Sequence, residues 1–142
     1  MAFPISNEWL INIPDEFEHR VDDDKLVFWK TGITVIAVPF RLPKNTTKLE
    51  LLNRIHKKLP ESILETFVST KGEIAGLGYT HLHAVESEKK RLSMTTFTVS
   101  ETTCLQVAFY LDDPADLDWA RSTWQEIIFH PGTGKPDTIN KK

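Results

Sequence analysis

The chain has 142 residues, of which 40% are hydrophobic and 26% charged, with a single cysteine and a formal net charge of −3. That length suits one domain with a full core, and the composition excludes a chain disordered throughout. The near-balanced charge, with no basic block longer than Lys89-Lys90-Arg91, argues against sequence-independent nucleic-acid binding, and a lone Cys104 excludes an internal disulfide framework.

Glu8 to Ile13 is rich in strand formers and stops at the turn signal Pro14-Asp15, so it reads as a first strand. A polar stretch, Glu16 to Asp24, precedes two apolar runs, Lys25–Lys30 and Ile33–Phe40, that form a hairpin across Thr31-Gly32. The second arm has apolar residues of both parities (Val35 and Ala37, then Ile36, Val38 and Phe40), which predicts cover on both faces. Thr47-Lys48-Leu49-Glu50 has the form of a capping box, and Leu51/Leu52, Ile55 and Leu59 recur at helical spacing, so a helix is expected from Lys48 to Leu59, ended by Pro60. The six-residue run Ile63–Val68 fits a strand or a short helix, and is read as a strand.

Gly76–Val85, Leu92–Val99 and Cys104–Leu111 follow as an antiparallel meander, the last with a core face of Leu105, Val107, Phe109 and Leu111. Asp113 with Pro114 then opens a helix predicted to run to Ile128, its stripe formed by Leu117, Ala120, Trp124 and Ile127/Ile128. Residues 131–142 carry turn formers without periodicity and are expected to form a flexible tail behind a single domain of residues 1–130. Strands outnumber helices. The prediction is an α+β domain, a central antiparallel sheet of about six strands with helices packed on it.

Few residues suggest chemistry. His81-Leu82-His83 puts two imidazoles on one strand face together with Tyr79, a possible ligand face, but the chain lacks a partner motif at zinc-site spacing, so no metal or other cofactor is expected. Asp22-Asp23-Asp24 lacks the alternation, the glycine and the closing glutamate of a calcium loop, and reads as a solvated acidic turn able to face a basic partner. Cys104 has no nucleophile context and reads as a small buried hydrophobe. Gly76 and Gly78 lack the third glycine and helix start of a phosphate loop, and suggest a bulge or close packing under a large neighbour. Trp119 lies off the predicted helix stripe, which fits either an interface anchor that meets a partner or a ring that covers the sheet edge while partly buried.

The segment Phe17–Phe28, the strand Ile33–Phe40, a helix after the Leu42-Pro43 turn, and a last strand Cys104–Leu111 leading into a C-terminal helix resemble the Mog1/PsbP-like superfamily, which includes small bacterial members. The resemblance covers residues 8–129 and rests on element order and hydrophobic pattern. It implies an α-β-α sandwich and a bias towards protein binding, since relatives act as binding or assembly proteins for a small GTPase and for a photosynthetic membrane complex. None of their partner-binding residues maps onto a position here. The opening segment has no basic n-region and no stretch approaches the ~20 apolar residues of a membrane span, so a cytoplasmic protein is expected. The function expected is non-enzymatic binding of another protein, through Asp22, Asp23, Asp24 and Trp119 or one sheet face. The alternatives are an acidic inhibitor or immunity-type protein against a basic effector, and a small-ligand or metal-assisted enzyme using Tyr79, His81 and His83.

Overall fold

The computed structural model describes residues 2–59, 63–84 and 90–130, which form ten strands in two sheets and two α-helices. In chain order these are β1 (Ala2–Pro4), β2 (Trp9–Asn12), β3 (Glu18–Asp22), β4 (Lys25–Lys30), β5 (Ile33–Arg41), helix α1 (Lys48–Lys57), β6 (Ile63–Lys71), β7 (Ile74–Ala84), β8 (Lys90–Val99), β9 (Thr103–Leu111), helix α2 (Leu117–Gln125) after a 3-10 turn at Pro114–Asp116, and β10 (Ile128–Phe129). The larger sheet is antiparallel with order β3-β4-β5-β9-β8-β7-β6, and the smaller has order β1-β2-β10. The class is therefore α+β with mostly antiparallel sheet, and Ile63–Lys71 is a strand.

The expectation of about six strands falls short, for physical reasons visible at each missed strand. All five residues of β3 are exposed, because an edge strand has no wet-and-dry alternation to betray it. Strands of three and two residues, such as β1 and β10, are too short to produce a period at all.

Side-chain alternation places the core. Leu105, Val107, Phe109 and Leu111 of β9 are fully buried on one face, opposite Val35 and Ala37 of β5 on one side and Met94 and Thr96 of β8 on the other. Trp9 and Ile11 of β2, Ala120 and Trp124 of α2, and Ile127 close that face in one cluster. The buried hydroxyls and indoles are satisfied: Trp124 Nε1 donates to Thr98 Oγ1 at 2.9 Å, and Thr96 Oγ1 donates to the Val107 carbonyl at 2.9 Å.

The other face is covered at one end only. There Leu51 of α1 meets Val99 and Cys104, with Leu42, Leu52, Ile55 and Phe97 around them. Ile36 and Val38 are half-buried and Phe40 is exposed, so the predicted double cover of β5 is partial: α1 is too short to span the sheet. The helix itself starts as its sequence dictates, with the Thr47 hydroxyl accepting from the Glu50 amide and the Glu50 carboxylate accepting from the Thr47 amide. At the other helix, the Asp113 carboxylate accepts from the Ala115 amide at 2.9 Å ahead of the turn at Pro114. Helix α2 stops at Gln125, short of the predicted Ile128, because the chain turns to send Ile127 into the core and Ile128 into β10. The predicted tail, residues 131–142, lies outside the described residues.

Candidate functional site

Asp23 and Asp24 are the two-residue turn of the β3–β4 hairpin, whose last pair is Asp22 with Lys25. Asp23 takes a positive φ of 59°, a conformation that aspartate tolerates better than most side chains because its short polar group can bond locally. All three carboxylates are exposed, as their mutual repulsion requires. Asp22 reaches Arg20 at 3.5 Å, with both side chains more than half exposed, a pairing weak enough in water to leave the turn acidic. Counting Glu18, the hairpin carries four carboxylates against Arg20, Lys25 and Lys30, with the carboxylates gathered at its turn end.

Below this turn lies a groove of about 300 Å³. Phe3, Pro4, Ile5, Val21, Leu26 and Pro39 give it an apolar lining, to which Asp23, Asp24, Lys25 and His19 add polar groups. Val21 is 74% exposed, a large apolar side chain left in water. A second depression of about 160 Å³ shares Phe3 and His19 and continues over Ile13, Phe17 and Phe28. The Phe3 ring stands edge-on to His19 at 4.7 Å and to Phe28 at 5.1 Å, so it forms part of the wall of both hollows.

Strand β3 is also an open edge of the large sheet. In a two-residue hairpin the pair flanking the turn is the bonded one, so bonded pairs recur at Asp22, Arg20 and Glu18, and the main-chain groups of Val21 and His19 point away from β4. An acidic turn, an apolar groove and unpaired strand edge thus meet at one corner. Sequence reading found the turn and missed the groove. Phe17, His19 and Val21 share one parity within the polar stretch, which was the signal available.

Tyr79 and His81 lie on one face of β7, as their spacing requires, and both are half-buried. Their cross-strand neighbours on β8 are Thr95 and Ser93, and Ser93 Oγ donates to the His81 carbonyl at 3.3 Å. The setting is a stretch of sheet lined by hydroxyls. The side chain of His83 lies outside the described residues. Among the described residues, no three His, Cys, Asp or Glu side chains come together as a metal-holding group.

Trp119 turns inwards. Its half-buried ring stacks on Phe17 at 5.4 Å and 11°, and meets Phe109 edge-on at 6.0 Å. It lies off the narrow helix stripe because the small sheet and the Pro14–Phe17 loop widen the surface that α2 packs against. Cys104 is fully buried, and burial pushes its thiol up to about 12, away from any nucleophilic role at neutral pH. Gly76 and Gly78 are packing glycines. An added Cβ would lie 2.8 Å from the Trp124 ring at Gly76 and 2.7 Å from the Phe67 ring at Gly78.

No protein-family model matches the chain, and no curated protein matches it. Among solved structures it is similar to the crystal structure of LpqN, a protein involved in cell envelope biogenesis of Mycobacterium tuberculosis. The two are 16% identical, with a TM-score of 0.62 over 87% of this chain and 83% of that one. At that identity the likeness carries the fold alone. No described helix is long and apolar enough to cross a membrane.

Proposed function

We propose that this chain is a non-catalytic protein-binding domain whose partner docks at the β3 corner, laying a basic and partly apolar extended segment across the Asp22–Asp24 turn and the groove beneath it. One observation carries the reading: two carboxylates of the hairpin turn line a largely apolar groove beside unpaired main-chain groups. Each part supplies a different component of recognition. Strand edges give main-chain hydrogen bonds, pockets select side chains, and charged groups accelerate encounter. The same reading places the domain in the cytoplasm as an α-β-α sandwich of the Mog1/PsbP-like kind, with α1 and α2 on opposite faces of the sheet. In its narrower form the partner is a basic effector that the domain neutralises.

The test is paired affinity capture from native extract, with wild-type bait and with an Asp22→Asn, Asp23→Asn, Asp24→Asn bait. Asparagine accepts the positive φ at position 23, so the hairpin keeps its shape. A partner held by the wild type should associate with the variant roughly tenfold more slowly at low salt, with the difference shrinking as salt rises. No specific partner at low and moderate salt, or equal association with both baits, contradicts the reading.

A further inference from the structure

The opposite edge of the large sheet has a different character. Strand β6 is nine residues long, and among the described residues no main-chain hydrogen bond reaches its outer side. Leu64 and Val68 are 58% and 76% exposed on it. Edges of this length normally carry a device against pairing with another chain, such as a proline or a bulge. Here the irregularity between Ile63 and Glu65 disrupts only the first residues, and Glu65–Lys71 pairs with β7 without interruption.

The orientation of the free groups follows from the ladder. The turn Gly72-Glu73, with Gly72 at φ +61°, makes Lys71 and Ile74 the bonded pair, so bonding to β7 alternates through Ser69, Phe67 and Glu65. The main-chain groups of Thr66, Val68 and Thr70 therefore face outwards. Glu65, Phe67 and Ser69 lie on the face towards α2, whereas Thr66, Val68 and Thr70 lie on the other.

We infer that two copies of this chain pair antiparallel through β6 about a two-fold axis at Val68, joining their large sheets edge to edge. In that register Val68 meets Val68 of the partner subunit and Thr66 meets Thr70 of the partner subunit, all with outward-facing main-chain groups that can exchange bonds. Glu65, which lies 3.7 Å from Arg121 in its own protomer, then stands opposite Lys71 of the partner subunit, whose ammonium also donates to its own Gln125 carbonyl at 3.2 Å, and by symmetry the pair occurs twice. Registers displaced by two residues lose this match. One places Glu65 opposite Ser69 of the partner subunit, and the other places it opposite Glu73 of the partner subunit, a like-charge contact. Self-complementarity of charge, β-branched pairing and bond direction in one register is what selects a second copy as the occupant.

Sedimentation velocity over a concentration series tests the dimer, with three variants to locate it. Val68→Pro deletes an outward N–H that β7 does not use, so the monomer fold should survive while the dimer is lost. Lys71→Glu sets like charges opposite each other twice and should weaken dimerisation roughly tenfold. Val68→Cys should cross-link to itself on mild oxidation, because a bonded antiparallel pair holds its Cα atoms about 5.5 Å apart, within disulfide reach. Buried Cys104 does not compete. If Val68→Pro unfolds, the other two variants decide. A wild type that stays monomeric up to about 100 µM, far above the range of a micromolar dimer, overturns the inference. So does a dimer that keeps its affinity in Lys71→Glu and gives no Val68→Cys cross-link.

Discussion

Gly76 sits under the indole of Trp124, which is held in place by its bond to Thr98, whereas Gly78 sits under the half-buried ring of Phe67 at the sheet margin. Alanine would gain about 0.5–1 kcal/mol at either site by restricting the unfolded chain. Overpacking costs about 1–3 kcal/mol where the neighbour cannot give way. Gly76→Ala should therefore destabilise the protein in denaturant melts, and so should Gly78→Ala, whose Cβ would press on the Phe67 ring and on the methyl of buried Thr96 at 3.2 Å. Cys104 supplies a second test at this scale. Its folded-state value of about 12 exceeds the ordinary 9.0, so the unfolded chain loses the proton first as pH rises. Below pH 9 the group contributes nothing to the pH dependence. Between pH 9 and 12 it lowers stability by up to about 1.4 kcal/mol per pH unit, and Cys104→Ala should remove that part of the alkaline slope in unfolding measurements. All three residues were legible in the sequence: two glycines on a strand without a phosphate-loop context, and a cysteine at an apolar strand start. For Trp119 the sequence left an interface anchor and a part-buried sheet-edge cover both open, since a helix wheel does not report that a loop carrying Phe17 closes over the flank of α2.

At the scale of elements, legibility followed the strength of the local signal. Helix α1 was readable because its capping box fixes its start by hydrogen bonds between residues three apart, a purely local event. Thr47→Ala removes one half of that box and should cost about 1 kcal/mol, read as a lowered denaturation midpoint with an unchanged slope. The Glu50 carboxyl is held below its ordinary 4.5, chiefly by the Thr47 main-chain N–H and then by its hydroxyl. This contribution is present at neutral pH and fades as pH falls through the lowered value. The meander β7-β8-β9 was readable from alternation, with boundaries off by two residues or fewer among described positions. Strand β3 was not. Its identity is set by pairing with β4, and the hydrophobic pattern that would reveal it is absent because both faces of the edge meet water. The groove was hidden for the same reason: it depends on β1 passing beside the β3–β4 hairpin, a contact between segments about twenty residues apart with no shared motif.

For the whole molecule, one sheet separates two edges of different character. The β3 corner joins an acidic turn to a groove, and we propose a different protein as its occupant, whereas for β6 we infer a second copy of the chain. A dimer joined at β6 would carry its two β3 corners at the far ends of a continuous sheet, free to take two copies of a partner. The central claim is that the β3 corner is the docking site, and amide hydrogen exchange on the captured complex tests it most directly. The outward amides of His19 and Val21 have no main-chain partner among the described residues, so they should exchange fast in the free protein and slow down in the complex. Slowed exchange confined to α1, or to the face carrying Tyr79 and His81, with His19 and Val21 unchanged, would contradict the account.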